Sequence, residues 1–400
     1  MNEVRGGVTA PAGFSAAGVS CGIKASGKPD LALVSSAVRS SAAAVFTTNL
    51  AQAAPVVISR DHIQRSAGHA RAVVVNSGCA NACTGADGVS HAVAMARQTA
   101  SALGCGPEEV LVASTGVIGV KLDMSKVCRG ISDAVRSLDT AGGPQAALAI
   151  MTTDPFPKEA AVETSAAGGA FRVGGMAKGS GMIEPMMATM LGVVTTDARI
   201  EPALLARALR DVVRDTFNAI TVDGECSTND CVFALANGAS GTAIGEAEYA
   251  AFVDALRSVC ESLAVGIVRG GEGATKLITV QVIGARGDDD ARRAARAIAN
   301  SPLVKTAVHG GDPNWGRLIA VAGRSGAAFV LDRAAVRIGP VELFRNGVPF
   351  DDRADAAASY LRGGEIVLEV DLGTGGDGRS RMWTCDLSAE YVRINAEYRT

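Results

Sequence analysis

Histidine occurs only four times in this chain of 400 residues, at His62, His69, His91 and His309, which leaves little material for chemistry centred on imidazole. The metalloprotease pattern H-E-x-x-H is missing, and so is the phosphate-cradling G-x-x-x-x-G-K-[ST]. Metal-dependent proteolysis and nucleotide hydrolysis thereby lose their usual starting points, and no metal is expected. The nine cysteines are odd in number, scattered, and never spaced C-x-x-C. That argues against a zinc ribbon, a thioredoxin-type centre and a disulfide framework, and each cysteine reads as a small core residue. No apolar run approaches the roughly 18 residues that a membrane helix needs, and no secretory core follows Met1, so a reducing cytoplasm is the expected setting. An excess of positive charge is lacking as well: 38 basic residues face 41 acidic ones. Nucleic acid and anionic membranes both call for a basic footprint, so the expected partners are small molecules.

What the chain does have is glycine, 47 residues of it, in a composition 48% hydrophobic and 20% charged. Such a chain can bury enough apolar surface to fold, and its length suits about two domains. No stretch rich in proline, serine or charge marks a linker, and no fixed-period repeat is found. Short β-branched runs feed glycine-rich loops at 72–75 and 110–113. Helical spacing is evident over 201–215, 247–268 and 291–300, and residues 276–283 alternate as a strand does. The fold class predicted is mixed α/β.

The densest special composition lies in residues 174–197, GGMAKGSGMIEPMMATMLGVVTTD, with five glycines, Lys178, Glu184 and the small step Ala188-Thr189 before an apolar run. A threonine hydroxyl is a poor nucleophile alone, but at a chain N-terminus it has its own base, an α-amine with pKa near ~7.7–8.0. The Ala188-Thr189 step permits self-cleavage: the hydroxyl attacks the preceding carbonyl, the amide becomes an ester, and water removes the upstream piece. Taken alone, Thr189 reads more readily as a β-branched strand residue. Residues 172–177 also fit the R-x-x-G-x-A form of acetyl-CoA-binding loops, a loose pattern in so glycine-rich a chain.

The segment KGSGMIEPMMATML, residues 178–191, resembles the self-cleavage and nucleophile motif of the ornithine acetyltransferase (glutamate N-acetyltransferase) family. Similarity to that family continues in order along the chain: GGVTAPAGF (6–14), SGKPDLALV (26–34), NSGCANACTG (76–85), ASTGVIG (113–119), IMTTD (150–154), STND (227–230), EGATK (272–276), HGGDPNWGR (309–317) and the terminal YVRINAEYRT (391–400).

The resemblance implies a layered sandwich of stacked sheets flanked by helices, with a smaller second α/β domain. It implies cleavage between Ala188 and Thr189 into an alpha chain, 1–188, and a beta chain, 189–400, which stay together and pair as α2β2. Thr189 would take acetyl from N2-acetylornithine and pass it to glutamate in ping-pong order. Thr115 and Gly116 match the family's oxyanion-stabilising pair. Thr152, Lys178, Glu272, Asn395 and Thr400 match its substrate-binding positions, with Lys178 suited to a carboxylate and Glu272 to an ammonium. No cofactor is implied, and acetyl-CoA enters only as a co-substrate that some relatives use. His309 is expected in a structural or wall role, Asn76, Asn81 and Thr84 in a buried polar turn, Asn229 and Asp230 in support of the site, and Glu184 as an ordinary loop carboxylate. Pro155, Cys226 and Cys231 depart from the family's usual residues and leave acceptor breadth open. Two rival readings share the sequence: an N-terminal-threonine amidase in which water is the acceptor, and an uncleaved amino-acid-binding protein.

Overall fold

The computed structural model describes residues 1–184 and 190–397. The described residues divide into two compact units, one formed by Met1–Asn218 with Glu225–Ile267, the other by Ala219–Gly224 with residues 268–397.

In the first unit the strands are β1 (Asn2–Glu3), β2 (Phe14–Val19), β3 (Leu31–Phe46), β4 (His69–Cys79), β5 (Val110–Val117), β6 (Lys158–Ala166), β7 (Gly169–Lys178), β8 (Leu191–Thr196), β9 (Arg199–Ile200), β10 (Cys231–Ala236) and β11 (Ala243–Ile244). Its helices are α1 (Ala54–Arg65), α2 (Gly85–Leu103), α3 (Met124–Arg136), α4 (Gly143–Ile150), α5 (Pro202–Asp215) and α6 (Tyr249–Arg269). The main sheet runs β1-β6-β7-β8-β10-β3-β4-β5, with β2 paired to β3.

This sheet turns a corner inside β3. Ser35 pairs with Ala72 and Ser40 with Ala70, so residues 36–39 bulge out of the ladder, and Ser40 closes the bulge by donating to Ser36 Oγ at 2.8 Å. On one side of the corner Val73, Val75, Leu111 and Ala113 face inward; on the other Leu191, Val193, Phe233 and Leu235 do the same, all in one core with α4. Two halves of a sheet that put alternate residues into a single core lie face to face. The opposite residues of the first half, Ala72, Val74, Val110 and Val112, pack on α2 and α3. The expected stacked sheets flanked by helices are present.

The second unit holds β12 (Leu277–Ala285), α7 (Asp288–Ala299), α8 (Pro302–Gly310), α9 (Trp315–Gly323), β13 (Ala335–Ile338), β14 (Val341–Arg345), β15 (Val348–Pro349), α10 (Ala354–Leu361), β16 (Glu365–Asp371), β17 (Gly378–Cys385) and α11 (Ala389–Glu397). Its sheet runs β15-β14-β13-β16-β12-β17, and Ile278, Val280 and Val282 of β12 meet Ala291, Ala294, Ala295 and Ile298 of α7 in its core. Helix α7 opens on Asp288, Asp289 and Asp290, where carboxylates offset the positive end of the helix dipole.

Local periodicity located these elements well. The 201–215 helix is α5, with Pro202 in its first turn and Leu205, Ala208, Leu209, Val212 and Val213 forming its buried stripe. Four of the nine cysteines are buried, as a core role requires, but Cys83 is exposed. Among the described residues no helix is long and apolar enough to cross a membrane.

Candidate active site

Thr115 and Gly116 were expected in the loop after a strand; they are instead among the last residues of β5 itself, beside Gly78 of β4. The reason is the glycine pair. Gly116 has φ +127° and Gly78 φ +99°, values that L side chains rarely adopt. A Cβ on Gly116 would lie 2.3 Å from the Gly78 carbonyl carbon, so only glycine lets the two strand ends close together.

Lys178, the last residue of β7, extends Nζ to Thr115 Oγ1 at 3.2 Å. It is almost fully buried. Lysine has donors only, so the threonine oxygen must accept, and among the described residues the hydroxyl's own proton has no acceptor. The lysine thus fixes the orientation of the Thr115 hydroxyl.

Asp154, buried, is the hub that joins the expected substrate-binding segments. Its carboxylate accepts the Thr152 amide at 2.9 Å, the Gly179 amide at 2.7 Å and Lys158 Nζ at 2.6 Å. Burial alone would raise this carboxyl; the Lys178 and Lys158 ammonium groups and the amide donors bring it down to about 2 instead. Burial pushes the Lys158 ammonium down even with Asp154 beside it. The pair is therefore less stabilising than the carboxyl shift by itself suggests. Asp154 had been only part of the 150–154 motif; Lys158 four residues on was the available signal.

Lys24 is a further cation that the sequence did not single out. Asp30, fully buried, accepts the amides of Cys21, Ile23 and Lys24 at 2.7, 2.6 and 2.9 Å, and this folds the loop so that Lys24 Cγ lies against Gly78. Burial pushes the Lys24 ammonium down to about 8 against the pull of Asp30, with the Lys178 charge adding to the decrease. The same loop contains a G-x-S-x-G pentapeptide, Gly18–Gly22, in which β2 gives way to bends with no helix following, so it is not a nucleophile elbow.

Residues 172–177 are likewise not a cofactor loop. They lie inside β7, where Gly174 passes so close to the Gly7 carbonyl that a Cβ would stand 2.0 Å from its oxygen. The glycines there serve close packing. The expected polar turn is present: Thr84 donates to Asn81 Oδ1 and Asn81 to the Gly88 carbonyl, each at 2.9 Å, although Thr84 itself is half-buried. Asn76 works elsewhere, donating to the Cys79 carbonyl at 2.8 Å and accepting from Ser114 Oγ at 2.6 Å.

In the second unit, Asn395 Nδ2 donates to Glu272 Oε2 at 2.9 Å, joining two expected substrate-binding residues. Glu272 is buried and Asn395 half-buried. The turn bearing Glu272 is held by residues that follow β17. Asp386 accepts the Thr275 and Lys276 amides, both at 2.8 Å, and the Thr275 hydroxyl at 2.5 Å, while Ser388 donates to the Gly273 carbonyl at 2.6 Å. His309 Nδ1 meets Asp386 Oδ2 at 2.6 Å. It is thereby joined, through Asp386, to the Thr275 and Lys276 amides of this turn. Burial would raise the Asp386 carboxyl, but the Thr275 and His309 hydrogen bonds lower it.

Ala188, Thr189 and Thr400 lie outside the described residues. Glu184 lies in a loop, as expected, but is buried there, with its amide on the Glu225 carbonyl at 2.8 Å.

The sequence matches the ArgJ family over residues 15–400. It is 52% identical to the arginine biosynthesis bifunctional protein ArgJ of Symbiobacterium thermophilum and 51% identical to that of a Synechococcus species, covering 100% of this chain in both cases and 100% and 98% of those proteins. Among solved structures, an ornithine acetyltransferase from Mycobacterium tuberculosis in complex with ornithine is 47% identical over 46% of this chain and 98% of its own, with a TM-score of 0.44.

Proposed function

The chain belongs to the ArgJ family and is an acetyltransferase of arginine biosynthesis acting between ornithine and glutamate, and we propose that it works through an ester on Thr189. The Thr189 hydroxyl attacks the Ala188 carbonyl, the peptide shifts from nitrogen to oxygen, and water cleaves the ester. The freed α-amine, with an ordinary pKa near ~7.7–8.0, then serves as the hydroxyl's base. In the first half-reaction the Thr189 oxygen bonds to the acetyl carbon of N2-acetylornithine, the carbon–nitrogen bond breaks, and ornithine leaves with the proton. In the second, the glutamate amine attacks the ester and Thr189 recovers its proton. One amide replaces another, so no activated donor is required.

The observation that carries this reading is the Lys178–Thr115 contact beside Gly116. Both half-reactions build charge on the acetyl oxygen, and a hydroxyl already oriented by Lys178 needs little reorganisation as that charge appears. Lys178 suits the α-carboxylate common to both substrates and Glu272 an ammonium, and Thr152, Asn395 and Thr400 are proposed as further substrate-binding residues. No resident cofactor is proposed; acetyl-CoA is at most a second acetyl donor, which an assay with acetyl-CoA and glutamate alone would reveal.

We also propose that chains 1–188 and 189–400 remain associated after cleavage and assemble as α2β2. Strand order supports their cohesion. Strands β8 and β10 come from the downstream piece, yet they sit between β7 and β3 of the upstream piece in one hydrogen-bonded sheet. The charged, soluble substrates suit a cytoplasmic setting.

The test is denaturing intact-mass spectrometry after brief incubation with N2-acetylornithine without glutamate. Two fragments meeting at Ala188/Thr189, with a lasting acetyl adduct on the downstream one, are expected. Cleavage with rapid loss of acetyl to water would favour an amidase, and a single unlabelled chain would overturn the Thr189 mechanism.

A further inference from the structure

Both donors of the Asn229 side chain reach backbone carbonyls beside Thr115 and Gly116, and its oxygen is held by the neighbouring Thr228. Nδ2 donates to the Ala80 carbonyl at 2.6 Å and to the Ser114 carbonyl at 2.8 Å; Oδ1 accepts from the Thr228 hydroxyl at 2.5 Å. Ala80 follows the end of β4, and Ser114 directly precedes Thr115. One amide group therefore ties together the ends of two parallel strands at the place where Gly78 and Gly116 meet. From the other side Ser114 Oγ donates to Asn76 Oδ1 at 2.6 Å, and the Ala80 amide donates to the Val117 carbonyl at 3.0 Å. Asn76 and Ser114 are fully buried and Asn229 nearly so, so these bonds form away from bulk water.

The segment bearing Asn229 has a second attachment. The amide of Cys231, two residues on, donates to the Met190 carbonyl at 3.0 Å, and Cys231 starts β10 in register with Leu191, the start of β8. Met190 is the residue bonded to Thr189. Three consecutive residues thus hold the oxyanion turn by a side chain at one end and the neighbour of the nucleophile by backbone at the other.

We propose that Asn229 is a positioning residue, setting the Thr115–Gly116 turn against the chain that enters β8. Asn229 belongs to the downstream piece and the turn to the upstream piece, so the contact also registers the two cleavage products on each other. This assignment rests on Thr115 and Gly116 acting as oxyanion donors. Removing the amide leaves two buried carbonyls unsatisfied and frees the turn to shift, and a displacement of about 1 Å can lower a rate by ~10²-fold.

The experiment pairs a double-mutant cycle with hydrogen exchange. Single-turnover acetylation by N2-acetylornithine is measured for Asn229→Ala, Thr115→Ala and the double variant, and amide exchange is followed by mass spectrometry over residues 79–81 and 114–117. Asn229→Ala is expected to slow acetylation by roughly 10- to 100-fold, and to cost clearly less than that once Thr115 is already alanine, since part of its effect acts through Thr115 and only the remainder through Gly116. Exchange should rise at both segments and stay unchanged at 72–75. Multiplying rate losses, or unaltered exchange over 114–117, would overturn the assignment. Should Asn229→Ala not accumulate as folded protein, Thr228→Val keeps the asparagine but removes its orienting donor, and is expected to produce the same exchange pattern with a smaller rate loss. If the wild-type protein takes up no acetyl, the Thr189 mechanism has failed, while the exchange comparison still decides the placement of the turn.

Discussion

Lys178 Nζ stands 3.2 Å from Thr115 Oγ1, bringing together residues 63 positions apart from the ends of two strands that do not pair with each other. A buried ammonium donating to a hydroxyl does two things: it fixes where the hydroxyl hydrogen points, and it adds positive charge where an acetyl oxygen would become negative. Substituting Thr115→Ala should therefore lower the single-turnover acetylation rate by ~10²–10³-fold, the loss typical of one oxyanion donor. Intact-mass kinetics at saturating N2-acetylornithine would measure it; an undiminished rate would remove Thr115 from the mechanism.

Gly116 offers a sharper test of the same turn. With φ +127° and the Gly78 carbonyl carbon 2.3 Å from where its Cβ would be, Gly116→Ala must displace backbone rather than a side chain. The expected outcome is loss of acetylation in a protein that melts at a lower temperature, followed by calorimetry beside the kinetic assay. Gly119→Ala, three residues on and with open space around it, also has positive φ but meets no neighbour, and should leave the rate within a few-fold of wild type.

Asp154 links stability to pH. Its folded carboxyl titrates at about 2 rather than at the ordinary 3.8, so its contribution is fully present above 3.8 and is lost as pH falls through about 2. Denaturant unfolding between pH 7 and pH 2 should show this acid loss, and Asp154→Asn should flatten it. At neutral pH the same substitution leaves Lys158 buried with no carboxylate and is expected to cost about 3–5 kcal/mol. A stability loss below 1 kcal/mol would contradict the buried pair.

His309 and Asp386 lead to a prediction about affinity rather than rate. If they brace the turn that presents Glu272, His309→Leu should raise KM for both substrates several-fold with kcat little changed. His309→Asn, whose amide can donate as Nδ1 does, should recover much of the loss. Steady-state kinetics in both directions would decide, and a fall in kcat with unchanged KM would instead give the imidazole a part in the chemistry.

The amino-acid sequence by itself determined the elements and the residue types. Alternation of Val73, Val74 and Val75 between two faces, the apolar stripe of α5 and the aspartates opening α7 are local periodicities and charges, and these act before any distant contact forms. The order of motifs from residue 6 to 400 likewise carried the family resemblance, because Ala188-Thr189 and the lysine and glycines before it are legible as short strings. Tertiary structure alone decided which of these meet. The corner in β3 folds one sheet into two facing halves, and β8 and β10 lie between β7 and β3 in it. It brought Lys178 to Thr115, Asp154 to Gly179 and Asn229 to Ser114, across separations of 63, 25 and 115 residues. No local pattern encodes such meetings, since each depends on strand order, on the register of the ladder, and on the requirement that a polar group be satisfied once the folded core has taken water away from it.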